Sequence, residues 1–132
     1  MSAFILKISA ESQVCERLSV DTLSRSTICT LLSTDVTQRL RVPVSPPFLS
    51  DSNRVLCYLI DARGGDKGLP PNLCGTCLYH TGCPIYGDLI FVLCEQDESE
   101  EAVFGLSRTQ ADTLAAWLSE QFPFLHSDIC SN

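Results

Sequence analysis

The sequence predicts an α+β fold: a single compact domain with one mainly antiparallel sheet of four to five strands and two to three helices packed on it. Three observations predict it. The 132 residues suit one domain. The hydrophobic fraction of 45% supports a core without metal or disulfide staples. Segments with strand-like patterning, alternating or continuously apolar, stand among two segments with helical spacing. The domain is expected to span residues 1–122, with 123–132 as a tail docked at most through Phe124 and Leu125.

Taken in order, FILKIS (4–9) alternates and reads as a strand, and VCERLSV (14–20) as its hairpin partner. Asp21 is a good N-cap, and Leu23, Thr27, Ile28, Leu31 and Leu32 follow at helical spacing, so a helix is expected over 22–33. VTQRLRVPV (36–44) alternates up to Pro43, and SPPFLSDSN (45–53) is a Pro- and Ser-rich loop. RVLCYLID (54–61) is almost continuously apolar, the pattern of a central strand buried on both faces. ARGGDKGLPPN (62–72) must be an irregular turn. PIYGDLIFVLCE (84–95) reads as a long strand, with Gly87 marking a bulge or a close approach. Ser107 and Gln110 form a capping box, Leu106 packs toward Ala111, and Leu114, Trp117 and Leu118 make an apolar stripe, so a helix is expected over 108–121.

Composition excludes several function classes. The net charge is −7, from 16 acidic and 9 basic residues, which repels phosphate backbones and argues against nucleic-acid binding. The clearest acidic run, EQDESEE (95–101), reads as a solvated loop. No apolar run approaches the ~20 residues of a membrane span. MSAFILKIS lacks a basic leader and reads as a first strand, which points to the cytoplasm. In that reducing compartment Cys15, Cys29, Cys57 and Cys94, each inside an apolar stretch, are expected to be core residues.

CGTCLYHTGC (74–83) raises the question of a metal, because Cys74, Cys77, His80 and Cys83 recur every third residue. Asn72 can cap a helix that begins at Leu73, and Gly82 stands where it would stop. In a helix each step of three turns ~300°, so the four side chains spread over ~180° of surface. They then cannot converge on one tetrahedral ion with bonds near ~2.0–2.3 Å. Cys74, Cys77 and Leu78 are expected to face the core instead. A zinc module using Cys74, Cys77, His80 and Cys83 remains the alternative; otherwise neither metal nor cofactor is expected.

The run LIDARGGDKGLPPNLCGTCLYHTGCPIYGDLIFVL resembles the signature region of the domain of unknown function 3846 family. Asp61, Gly68, Leu69, Pro71, Asn72, Thr76, Pro84, Ile85 and Gly87 stand at matching places. GLSRTQADTLAAWLSEQF resembles the family's closing helix, and DTLSRSTICTLLS, more weakly, its first. The resemblance implies that Cys74, Cys77 and Cys83 are local substitutions at packing positions. It also implies a phage, plasmid or bacterial-host context and brings no activity with it.

Ser-His-Asp, paired-carboxylate, P-loop and H-E-x-x-H patterns are absent from the sequence, so no enzyme is expected. The leading expectation is an accessory protein for counter-defence that sequesters a small nucleotide signal of the host. Its candidate ligand residues are Arg63 and Lys67 as cations, Asn72 and Thr76 at a helix start, and Tyr79, His80 and Tyr86 as stacking groups. The other expectation is an inhibitor that binds a host defence protein through an acidic or apolar surface. A homo-oligomer fits either, since two chains build a larger pocket.

Overall fold

The computed structural model describes residues 3–21, 23–42, 54–78, 83–95 and 103–127. The run 45–53, most of the acidic run, Tyr79 and His80 lie outside them. Alternating apolar residues make β1 (Ala3–Ile8) and β2 (Val14–Val20) an antiparallel hairpin, with Ile8 opposite Cys15. Its turn closes through the Ser9 N–H on the Val14 carbonyl at 3.1 Å, with Gln13 at φ 52°. β3 (Thr37–Arg41), β4 (Arg54–Asp61) and β5 (Leu89–Glu95) complete a five-strand frame in the spatial order β3-β4-β5-β1-β2. Every pairing in that frame is antiparallel. Two short strands extend it: β6 (Val103–Phe104) on β5, and β7 (His126–Ser127), parallel, on β2.

Both faces of the sheet are covered, so the core has two layers. On one face α1 (Arg25–Leu32) sets Ile28 and Leu32 against Ile5, Val55, Leu59, Ile90 and Val92. On the other, α2 (Leu73–Leu78) and α3 (Arg108–Gln121) cover Leu6, Leu56, Tyr58, Phe91 and Leu93. β4 and β5 are therefore buried on both faces, as the unbroken apolar run of 54–61 requires. Each large side chain wholly removed from water there contributes roughly 1.5–3 kcal/mol.

The capping box of α3 forms as its sequence dictates. Ser107 Oγ accepts from the Gln110 N–H at 3.1 Å, and Gln110 Oε1 accepts from the Ser107 N–H at 2.9 Å. Leu106 and Ala111 are buried on either side of the cap. Three expected boundaries move. The first helix is capped by Ser24, not Asp21, because the Ser24 hydroxyl accepts from the Thr27 N–H while Asp21 stays exposed at the end of β2. The strand expected from 84 begins at Leu89, because Gly87 turns the chain at φ +86° and gives its N–H to the Pro70 carbonyl at 2.8 Å. The tail docks further than expected: Leu125 is buried, and His126 donates its N–H to the Gln13 carbonyl at 2.9 Å.

Candidate functional site

Residues 61–87 hold the candidate ligand groups, and their geometry is set by two buried polar side chains, Asp61 and Asn72. Asn72 closes three separate pieces of chain on itself, through four bonds. Its Oδ1 accepts from the Gly75 N–H at 3.1 Å and caps α2. Its Nδ2 donates to the Ile8 carbonyl at 3.2 Å and the Gly87 carbonyl at 3.1 Å. Its own N–H reaches the Ile85 carbonyl, at 2.6 Å. Thr76 continues the net, donating to the Asn72 carbonyl at 2.8 Å and accepting from the Ile85 N–H at 2.9 Å. Pro71 bridges Tyr86 across the same seam.

This net occupies the start of α2, where the sequence suggested an anion site. The Cys74 N–H is taken by Gln13 Oε1 at 3.1 Å and the Gly75 N–H by Asn72. The Thr76 N–H bonds the Asn72 carbonyl at 2.9 Å. The Cys74, Gly75 and Thr76 donors that would help cradle a phosphate are occupied by the protein itself. Asn72 and Thr76 are bonded within the fold.

Lys67 is likewise engaged. Its Nζ lies 2.7 Å from Asp61 Oδ2, and Asp61 Oδ1 accepts from the Arg63 N–H and the Thr34 hydroxyl, each at 2.9 Å. Burial favours the protonated form of Asp61, but these partners outweigh it and hold its carboxyl below the ordinary 3.8. The Asp61 knot ties the 62–68 turn to the end of α1, where Ser33 takes a left-handed conformation at φ 55°. Of the expected ligand groups, Arg63 is exposed and Tyr86 half-buried; Tyr79 and His80 fall outside the described residues.

Tyr86 does border a hollow of about 200 Å³, between the β3–β4 end of the sheet, the 62–65 turn and the 83–86 segment. Gln38, Leu40, Ile60 and Ile85 line it with Tyr86. The turn packs closely there: a Cβ on Gly64 would stand 2.8 Å from the Tyr86 carbonyl oxygen. Small-molecule sites span roughly 300–1,000 Å³ and converge free polar groups. This hollow is smaller, and its acid, Asp61, is already bonded.

The cysteines do not gather. Cys74 is buried, while Cys77 and Cys83 are exposed, so Cys77 points away from the core it was expected to join. Among the described residues no three His, Cys, Asp or Glu side chains could share an ion. Burial pushes the Cys15 thiol up to about 12 and the Cys74 thiol higher still. The Cys57 thiol, bonded to Cys94 and buried, also rises well above the ordinary thiol range. Such thiols stay protonated and make poor nucleophiles or ligands. Cys15, Cys57 and Cys94 are core residues as expected; Cys29 is half-buried.

Three residues that complete this region escaped the sequence reading. Gln13 caps α2 from 61 positions away. The Tyr58 hydroxyl, buried within β4, donates to the Gly75 carbonyl at 3.0 Å. Gly75 lies so close to Leu89 that a Cβ would stand 2.9 Å from its Cδ2. Only long-range contact reveals them; no local pattern marks them. No protein-family model, curated protein or solved structure matches the chain.

Proposed function

We propose that the chain is a non-enzymatic accessory protein of a phage or other mobile element, which inhibits a host defence protein by binding its basic surface through the acidic run 95–101. One observation carries the reading: the charge is unevenly placed. The run 95–101 holds five of the sixteen acids and no base, so the other 125 residues carry eleven acids against nine bases, a net of −2. The run lies in the sequence between β5 and β6, which pair antiparallel. Dense like charge on a chain otherwise near neutral steers a basic partner to it. The mobile-element context and a site of action in the host cytoplasm rest on the sequence resemblance.

Affinity capture from host lysate tests it, with the wild-type chain beside a variant in which Asp97, Glu98, Glu100 and Glu101 become Asn or Gln. One host protein retained at low salt, released at high salt and lost from the variant is expected. Equal retention by both chains removes the acidic run from the reading.

Sequestration of a nucleotide is the second reading. Exposed Arg63 and half-buried Tyr86, at the hollow and its turn, favour it. It is the weaker reading, because Lys67, Asn72 and Thr76 are bonded within the fold.

A further inference from the structure

The β3 strand is one margin of the sheet: it pairs with β4, and no described strand lies beyond it. The ladder fixes which backbone groups face outward. Val42 donates its N–H to the Leu56 carbonyl, and Val36 accepts from the Ala62 N–H, each at 3.0 Å. Antiparallel pairing alternates residue by residue, so 36, 38, 40 and 42 turn their backbone groups toward β4. The groups of Thr37, Arg39 and Arg41 therefore point away from it. Side chains alternate as well. Leu40 is buried on the α2–α3 face, whereas Arg41 is exposed on the α1 face. The hollow beside Tyr86 adjoins this margin, with Gln38 and Leu40 belonging to both.

We infer that the β3 margin and the hollow together receive an extended peptide segment of a partner protein. The segment adds to the sheet as a further strand. It seats one apolar side chain among Leu40, Ile60 and Ile85, and it sets acidic side chains against Arg41. Recognition of this kind draws affinity from main-chain bonds and specificity from pockets for alternate side chains. A hollow of about 200 Å³ suits one side chain better than a nucleotide. Charge selects the occupant. β3 carries Arg39 and Arg41 and no acid, so the strand it receives is acidic on that face. A second copy fits poorly, because two β3 strands paired about a two-fold axis would oppose arginine to arginine. This inference goes beyond the acidic-run reading, since it uses a different surface and a partner segment of opposite charge.

The test is fluorescence anisotropy with a labelled short peptide of alternating Glu and Leu, beside its Lys-for-Glu counterpart. Saturable binding of the Glu peptide alone is expected. Arg41→Glu should weaken it at least tenfold. Thr37→Pro should do the same, because it removes an outward donor and leaves the β4 ladder intact. Circular dichroism melts within a few degrees of wild type would show that both variants fold. Neutralising Asp97, Glu98, Glu100 and Glu101 should leave the peptide affinity unchanged, which separates this site from the acidic run. The inference is overturned if the wild type does not bind the Glu peptide, if both peptides bind alike, or if Arg41→Glu and Thr37→Pro bind as the wild type does.

Discussion

Asn72 is where one side chain does most to hold the molecule together. It is fully buried and satisfies Gly75 N–H, Ile8 C=O and Gly87 C=O at once. Removing it takes from the Gly75 N–H and the Gly87 C=O their side-chain partner, each loss costing about 1–3 kcal/mol, and strips the Ile8 C=O of one of its two bonds. Asn72→Ala should therefore lower stability by about 3 kcal/mol or more, read as a fall in the urea midpoint. Asn72→Asp keeps the acceptor for Gly75 but turns negative charge on two carbonyls, and should be no milder. The same scale explains the thiols. Cys77 and Cys83 are exposed and should react with iodoacetamide in the native protein. Cys15 and Cys74 are buried and held protonated, and should label only after unfolding. Peptide mapping of the labelled sites distinguishes the two sets. The sequence marked Asn72 as a helix cap, which it is. Its other bonds were illegible, because their partners are backbone groups 15 and 64 positions away.

Among the elements, α3 and β4 were the most legible, because a capping box and an unbroken apolar run specify their ends and their burial without outside help. The start of β5 was not. PIYGDLIFVLCE reads as one strand, yet residues 83–88 are held by the 69–72 turn, and Gly87 can take φ +86° only because it lacks a side chain. The close fit of α2 to the sheet makes a further prediction. A methyl on Gly75 would meet Leu89 at 2.9 Å and Ile85 at 3.1 Å, beneath a helix pinned by Tyr58. Gly75→Ala should cost about 1–3 kcal/mol through overpacking, despite its better helix propensity. A higher melting temperature for this variant would show that α2 is free to shift. The place where Gly105, just after β6, meets the start of β1 is tighter still, since a Cβ there would overlap that of Ala3.

For the whole molecule, two sets of groups shape stability against pH, with opposite signs. Asp61 is held below its ordinary value, so its contribution is present above about pH 4 and is lost as pH falls through its folded value. Cys15 and Cys74 are held above theirs. Their contribution is complete below the unfolded thiol value and declines as pH rises beyond it, when the unfolded chain gives up protons that the native chain keeps. Urea midpoints should thus be level between about pH 5 and 8 and fall on either side. Asp61→Asn, about 2 kcal/mol less stable at pH 7, should flatten the acid limb. At this scale the fold class was readable from composition and periodicity, whereas the role of residues 61–87 was not. The pattern that suggested a phosphate cradle is a hydrogen-bonded seam that the chain closes on itself, which is why we propose a protein partner in place of a nucleotide. Native mass spectrometry with a panel of cyclic nucleotides puts this most directly to the test. The bare chain mass is expected with every nucleotide. A one-to-one nucleotide adduct that disappears in Arg63→Ala and Tyr86→Ala would instead make the 61–86 hollow a ligand site and return nucleotide sequestration to first place.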